Sequence, residues 1–469
     1  MLKLNPKSTW NVNNSLSLPK LVPERLGDSE FLEDHGVRFA YVAGAMAHGI
    51  ASTALVARMA KQRLLSFLGT GGWGLDKIES AIQTLQQTLC EDEPFGMNLL
   101  CNLDNPAFEE ATVELYLKYK ICRIEASAFM QITPSLVLYR IRRLSRNLDN
   151  TINIPHKIMA KVSRPEVALQ FLSPPPPRIV QRLLEQGRIA QEEALLAQEI
   201  PMADDICIEA DSGGHTDKGV ASSLVPAIIR LRDDISQRMN YAKRIRIGVG
   251  GGLGTPQAIA SAFILGADFV LTGSINQATL EAGTSDAVKD LLQFAEPQDT
   301  AMAPAGDMFE LGAQVQVLSK GVLFPVRANK LYQLYKTHSC LEEIDKKTQH
   351  QIETKFFQRS FEQVYDETKK YYAQKNPDEL NKMEYNPKHK MAKIFRWYFA
   401  YSNRIAIQGF IDDRVNFQIS CGPALGSFNQ WIAGTNLVDW RNRHVDEIAN
   451  LLMFEASEVL NRKFIKLFT

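Results

Sequence analysis

The sequence predicts an α/β fold, a (β/α)8 TIM barrel with an additional, mostly helical C-terminal region. Eight short apolar runs of strand length alternate with segments of helical periodicity over roughly 240 residues, the size and rhythm of such a barrel. Residues able to do chemistry follow many of these runs at once: Met46, Thr70, Asn98, Lys161, His215, Gly251 and Ser274. A doubly wound open sheet would gather them at one switch point, whereas a barrel builds its site from many strand ends. Glycine clusters after the seventh and eighth runs fall where such barrels usually hold a phosphate.

Each element follows in order. Residues 1–35 contain Pro and Asn, lack a clear period, and are predicted to wrap the outside of a barrel at 36–280. The first strand is Phe39–Gly44, followed by a helix over Gly49–Gln62 with Ile50, Leu55, Val56 and Met59 on its apolar face. Strands at Leu64–Leu68, Phe95–Leu100 and Cys122–Ser127 alternate with helices near 76–89, 106–119 and 134–144. His156–Val162 is the fifth strand, with its helix starting at Arg164-Pro165. An insertion at about 174–200 then opens with four prolines, Pro174–Pro177, a stiff spacer before two helical segments that read as a lid or a surface cover. Asp205–Ala210, Arg244–Val249 and Asp268–Thr272 complete the eight, with helices at 222–236 and 256–265. Residues 281–469 read as a mostly helical substrate or lid region.

Composition narrows the function classes. With 45% hydrophobic and 23% charged residues, the 469-residue chain is globular, with room for one large domain and another beside it. Lys+Arg 53 balances Asp+Glu 53, so the net charge gives no footprint for nucleic acid or an anionic membrane. No apolar run approaches the length of a membrane span, and none follows Met1 as a secretion signal would. Six cysteines without a C-x-x-C pair, several in apolar runs, point to buried reduced thiols and a reducing, cytoplasmic compartment. The histidines show no metal-ligand spacing. One local patch stands out: residues 382–404 carry Lys382, Lys388, Lys390, Lys393, Arg396 and Arg404 against Glu384 alone, interleaved with aromatics. It reads either as a solvated basic face over a core stripe or as a dock for an acidic partner.

The chemistry concentrates in Ile208–Asp217, Gly248–Pro256 and Leu271–Ser274, each an apolar run ending in small residues. Without a Cβ, Gly213, Gly214, Gly250, Gly251 and Gly252 let consecutive amides approach a bound anion, of which a phosphate is the expected occupant. His215 is the titratable imidazole in that setting. It reads either as a surface turn histidine or as an active-site group, and the convergence of other strand ends favours the latter. Lys161 fits a snorkelling barrel lysine or a cofactor contact, and Asn98 is a polar residue in an apolar strand whose amide needs partners. Gly69–Gly74 formally matches G-x-G-x-x-G, yet it belongs to the second strand of a continuing eightfold series, which argues against a dinucleotide fold.

Taken together, Val42–Met46, Asn98 within Gly96–Leu100, Lys161–Ser163, Glu209–His215, Gly250–Thr255 and Thr272–Ser274 resemble the nitronate monooxygenase (2-nitropropane dioxygenase) superfamily of FMN-dependent barrels. Met302–Gly312, Phe324–Tyr332 and Cys421–Asn429 resemble its branch of trans-acting enoyl reductases of polyketide and polyunsaturated fatty acid synthases. The resemblance implies FMN, NADPH as hydride source, and an acyl carrier protein bearing an enoyl thioester as partner. It implies contacts from Gly44, Ala45, Met46, Asn98 and Lys161 to the isoalloxazine and nearby flavin atoms, and from Gly213, Gly214, Gly251, Gly252, Gly273 and Ser274 to the ribityl phosphate end, with Ser212 also among the cofactor-binding residues. His215 matches the histidine beside the flavin in this superfamily. Asp211-Ser212 departs from the Ala or Gly that members often carry. Nitronate oxidation with oxygen and a flavin-free role in docking carrier proteins stay open as alternatives, as do monomer and homodimer.

Overall fold

The structure, a computed structural model, describes residues 20–468 other than residue 104; the predicted wrap over 1–19 lies outside the described residues. Eight parallel strands form a closed barrel: β1 (Tyr41–Ala43), β2 (Leu65–Leu68), β3 (Gly96–Leu100), β4 (Arg123–Ser127), β5 (Lys157–Val162), β6 (Asp205–Glu209), β7 (Arg246–Gly250) and β8 (Phe269–Thr272). Val42 pairs with Leu65 on one side and with Leu271 on the other, which closes the ring. The strands are nearly continuous apolar runs because both of their faces are buried. Alternation by twos still sorts them. Val42, Phe67, Met159, Cys207 and Phe269 pack in the barrel interior, while Ile158, Ala160, Ile206, Ile208 and Val270 pack in the layer beneath the helices.

All eight predicted strands and the helices after the first seven are present, most with ends within one to three residues of the expected ones. The helix Thr53–Lys61 begins later than expected because Ser52 caps it, its Oγ accepting from Leu55 N at 3.1 Å.

Three parts differ from the expectation. Ser29–His35 plugs the N-terminal end of the barrel instead of wrapping its outside, with Phe31 fully buried and stacked on Phe269 at 4.8 Å. Behind Phe31, His35 Nε2 bonds Asp205 Oδ2 at 2.8 Å, and Arg246 bonds Asp205 at 2.6 Å and Asp34 at 2.7 Å. The insertion forms helices Pro177–Glu185 and Gln191–Leu196, whose Val180, Leu183 and Leu196 join the barrel's outer core. None of these residues borders the cavity described below, so the insertion is a cover and not a lid.

The region after β8 is mostly helical, yet it opens with an antiparallel hairpin, Thr300–Pro304 and Gln314–Leu318, that adds Gly214–His215 as a third strand. Its last helix, Val445–Phe468, returns to the barrel and packs on Pro256–Ile264 and Thr53–Lys61, with Val445, Ile448, Leu452 and Leu460 in the barrel core. It occupies the place of the eighth barrel helix, so residues 281–444 are an insertion between β8 and that helix. The insertion has its own aromatic core around Phe309, Phe324, Phe357, Tyr398 and Phe399. Of the six cysteines, all free, only Cys207 and Cys421 are buried; Cys90 and Cys122 are exposed, against the expectation of buried thiols, because both stand at surface ends of their elements. Among the described residues no helix is long and apolar enough to cross a membrane, and no His, Cys, Asp and Glu cluster could hold a metal ion.

Candidate active site

The C-terminal ends of the strands open into one cavity of about 1670 Å³, roofed by the insertion. Every residue singled out from the sequence for cofactor or catalysis borders it: Gly44, Ala45, Met46, Asn98, Lys161, Ser212, Gly213, Gly214, His215, Gly251, Gly252, Gly273 and Ser274. Thr70 does not; its hydroxyl donates to the Asn98 carbonyl at 2.8 Å and steadies β3 from behind.

On the side of β6 to β8 the wall is made of glycine turns. Gly251 and Gly252 take φ of +86° and +73°, which an L residue adopts only at a cost of about 1–2 kcal/mol. A Cβ at Gly252 or Gly273 would meet nothing within 4 Å, so both turns leave open space at the cavity. Ser212 Oγ is buried there without a hydrogen-bond partner. The helix Pro256–Ile264 follows, capped by Thr255 Oγ1 accepting from Ala258 N at 3.3 Å.

Residues of the insertion hold these turns. Gln316, buried on the hairpin, donates through Nε2 to Asp211 Oδ1 at 2.8 Å and to the Ser212 carbonyl at 2.9 Å. The departure at Asp211-Ser212 therefore has a local partner. Gly422 N donates to Ser274 Oγ at 2.9 Å, and a Cβ at Gly213 would stand 2.6 Å from the Cys421 backbone.

Across the floor, Lys161 Nζ lies 2.9 Å from Glu209 and 3.5 Å from Glu125, and Ala45 N donates to Glu125 Oε2 at 2.7 Å. Burial alone would lower Lys161, but the two carboxylates outweigh it and hold the ammonium well above its ordinary range. Glu125 is fully buried, and burial pushes its carboxyl up against the opposing pull of Lys161 and the Ala45 amide. Asn98 donates its amide hydrogens to the Glu125 carbonyl and Ser127 Oγ, both at 3.0 Å, so its needs as a buried amide are met within the barrel.

His215, half exposed, is added to the hairpin opposite Val315, and its Nε2–H donates to Asp307 Oδ1 at 3.0 Å. That bond raises the imidazole above its ordinary value, against the lowering by burial; Asp307 is lowered in turn, the contact with His215 outweighing its burial. Neither Asp307 nor the Glu125 and Gln316 contacts were singled out from the sequence. A charged residue in an apolar strand marked Glu125, and Asp307 stood within the Met302–Gly312 motif. The basic segment 382–404 also resolves differently from a solvated face: Lys393 is buried on Glu379 at 2.9 Å, Arg396 pairs Glu310 at 3.2 Å, and both border the cavity from above.

The family model described as nitronate monooxygenase matches residues 30–319, and that described as the inserted helical domain of acyl-carrier-protein S-malonyltransferase matches residues 338–417. The chain is 50% identical over 443 residues to the polyketide biosynthesis protein PksE of Bacillus subtilis, covering 94% of this chain and 57% of PksE. It is 48% identical over 444 residues to the polyketide biosynthesis protein ThaF of Burkholderia thailandensis, covering 95% of this chain and 38% of ThaF. The chain thus spans little more than half the length of PksE and under half that of ThaF. The crystal structure of the enoyl reductase domain of MlnA, from the macrolactin biosynthesis cluster of Bacillus amyloliquefaciens, superposes with a TM-score of 0.91 at 43% identity, over 94% of this chain and 99% of that one. With a match over more than half its length and a likeness to the MlnA domain over nearly all of both chains, the chain belongs to the nitronate monooxygenase family, in the branch of that enoyl reductase domain.

Proposed function

We propose that this chain reduces the α,β double bond of enoyl thioesters borne on an acyl carrier protein, with FMN as bound cofactor and NADPH as hydride source. The observation that carries the reading is that a glycine cradle and the His215–Asp307 pair border one cavity. The residues present fit FMN: the open Cβ positions at Gly252 and Gly273 leave room for a phosphate, and Ser212 Oγ is a buried polar atom in want of a partner. In this reading Ser212, Gly213, Gly214, Gly251, Gly252, Gly273 and Ser274 hold the phosphate, and Gly44, Ala45, Met46, Asn98 and Lys161 border the ring system. With its amide hydrogens committed, Asn98 offers the ring an acceptor, Oδ1.

When bound, the cofactor supplies the two-electron transfer, and the protein supplies orientation and electrostatics. Lys161 stays charged at all working pH and would set a positive charge beside the bound cofactor. His215 has its Nε2–H tied to Asp307, which leaves the Nδ1 proton for the substrate. That proton goes to the α carbon or bonds the thioester oxygen, where charge develops. Lys218 and Arg404, exposed beside the cavity, make no ion pair among the described residues and suit the approach of an acidic carrier protein.

The test is to incubate the purified protein with NADPH and an enoyl carrier protein and to weigh the acyl product, which gains two hydrogens. His215→Ala is expected to keep FMN and lose turnover; unchanged turnover would remove His215 from the mechanism. A protein unable to take up FMN would refute the reading.

A further inference from the structure

Outside the cavity, five large apolar side chains of the insertion stand together without cover. Val415 is 42%, Leu323 46%, Phe410 56%, Ile411 67% and Val326 69% exposed, and none of them borders the cavity. They are neighbours in space. Leu323 N donates to the Val415 carbonyl at 2.7 Å, which seats the turn Ile411–Asn416 against the start of the helix Phe324–Thr337. Val326 follows Leu323 at that helix start, and Lys330 stands one turn beyond Val326 on the same face. Gln358 Nε2 donates to Asp413 Oδ1 at 3.0 Å, which brings the end of the segment Ile352–Phe357 to the edge of the same turn. A gathering of this kind marks an interaction surface, since scattered single exposures need no partner.

Its rim and its place say which partner it fits. Over residues 323–330, 352–358 and 410–416 the exposed charges are Lys330, Lys355 and Arg414 against Asp412, and none of the four makes an ion pair among the described residues. A second copy of the chain would bring this positive rim against its own like charge, whereas an acidic protein meets an apolar centre and an opposite charge together. The turn also joins two stretches that line the cavity, with Ala406 and Ile407 shortly before it and Gln418 and Ile419 shortly after it. A protein seated here therefore stands beside the cavity without filling it. We propose that Leu323, Val326, Phe410, Ile411 and Val415 form the docking face for an acidic acyl carrier protein, whose thioester arm enters the cavity from this side. The inference rests on the enoyl reductase reading and deepens it by placing the partner. The apolar centre supplies contact area, and Lys330, Lys355 and Arg414 steer the approach, an effect that salt screens.

The test sets one enoyl group on two carriers, trans-2-butenoyl on an acidic bacterial acyl carrier protein and trans-2-butenoyl pantetheine, before the wild-type holoenzyme and Val326→Asp/Arg414→Glu. Both positions are exposed, and turnover of the small thioester reports that the variant is folded. In the variant, kcat/KM for the carrier-borne group should fall about tenfold or more, with that for the pantetheine thioester unchanged. Added salt should likewise lower the wild-type rate on the carrier-borne group alone. Equal changes on both substrates, or none on either, would overturn the docking face. Sedimentation of the two proteins decides the rival occupant: a wild-type dimer that the substitutions split into monomers would give the face to a second copy and overturn the proposal. Binding of saturated butanoyl carrier protein, followed by calorimetry, separates the docking face from the reductase reading. Binding by the wild type and its loss in the variant, with neither thioester reduced, would leave the face standing and sink the reductase reading. No binding by the wild type would sink the face, whatever the enzyme reduces.

Discussion

Lys161 is the residue whose removal has the most clearly defined cost. Its ammonium faces Glu125 at 3.5 Å, a carboxylate with no exposure to water, whose remaining contact is the Ala45 amide at 2.7 Å. Lys161→Met would strand that charge, and stranding a buried charge costs about 3–5 kcal/mol. Glu209, the other partner, is 28% exposed and is screened by solvent, so it adds little. Adding Glu125→Gln removes the stranded charge and keeps an acceptor for Ala45 N, so the double variant should regain about 2 kcal/mol or more. Urea denaturation of the four proteins at pH 7 and pH 5 measures the cycle. The sign with pH is fixed: burial already raises Glu125, and losing Lys161 raises it further. A carboxyl raised in the folded state costs stability while charged, so the deficit of Lys161→Met is full above its folded value and shrinks as pH falls towards the ordinary value of about 4.3. Additivity of the two substitutions within about 0.5 kcal/mol, or a deficit that ignores pH, would refute the reasoning.

Other consequences are open to measurement. Because Asp307 raises His215, the fall of kcat/KM on the alkaline side should move to lower pH in Asp307→Asn; a limb that stays or moves upward would dismiss the pair. Gly213→Ala drives a Cβ into the Cys421 backbone, an overpacking worth about 1–3 kcal/mol. It should weaken FMN binding severalfold, read from the fluorescence of released flavin, and unaltered affinity would show that residues 420–422 do not brace the turn. Burial lowers His35, the neighbouring Asp205 carboxylate opposes that lowering, and Arg246 and Arg123 add to it, so the imidazole is held below its ordinary value and is neutral at pH 7. Stability is then present above its ordinary value of about 6.5 and is lost as pH falls below it. The urea midpoint of His35→Gln should fall less between pH 7 and pH 5 than that of the wild type; equal falls would count against this account.

The strands were legible because a barrel strand is buried on both faces and leaves an uninterrupted apolar run, such as Ile206 to Ile208. The site was legible for a related reason: Gly251, Gly252 and His215 follow such runs directly, so chain order alone puts them at one rim. What escaped depends on distance in sequence. Asp307 meets His215 across 92 residues through a three-stranded sheet whose middle strand, Gln314–Leu318, has no local mark of its partner. Phe31 gave no periodic signal, because the plug is a single short helix held by Asp205 and Arg246 from other strands. Lys393 and Arg396 looked solvated because their partners, Glu379 and Glu310, stand on separate elements.

The placing of Val445–Phe468 between the helices after β7 and β1 has a consequence for how this protein comes to be folded. On the ribosome, the first 280 residues emerge with a hydrophobic seam uncovered where that last helix belongs, and more than 160 further residues must follow before it can be shut. Contacts of such long sequence separation form slowly. The nascent chain therefore passes through a sticky, half-jacketed stage, and expression at lower temperature or with added chaperones should raise the yield of intact protein.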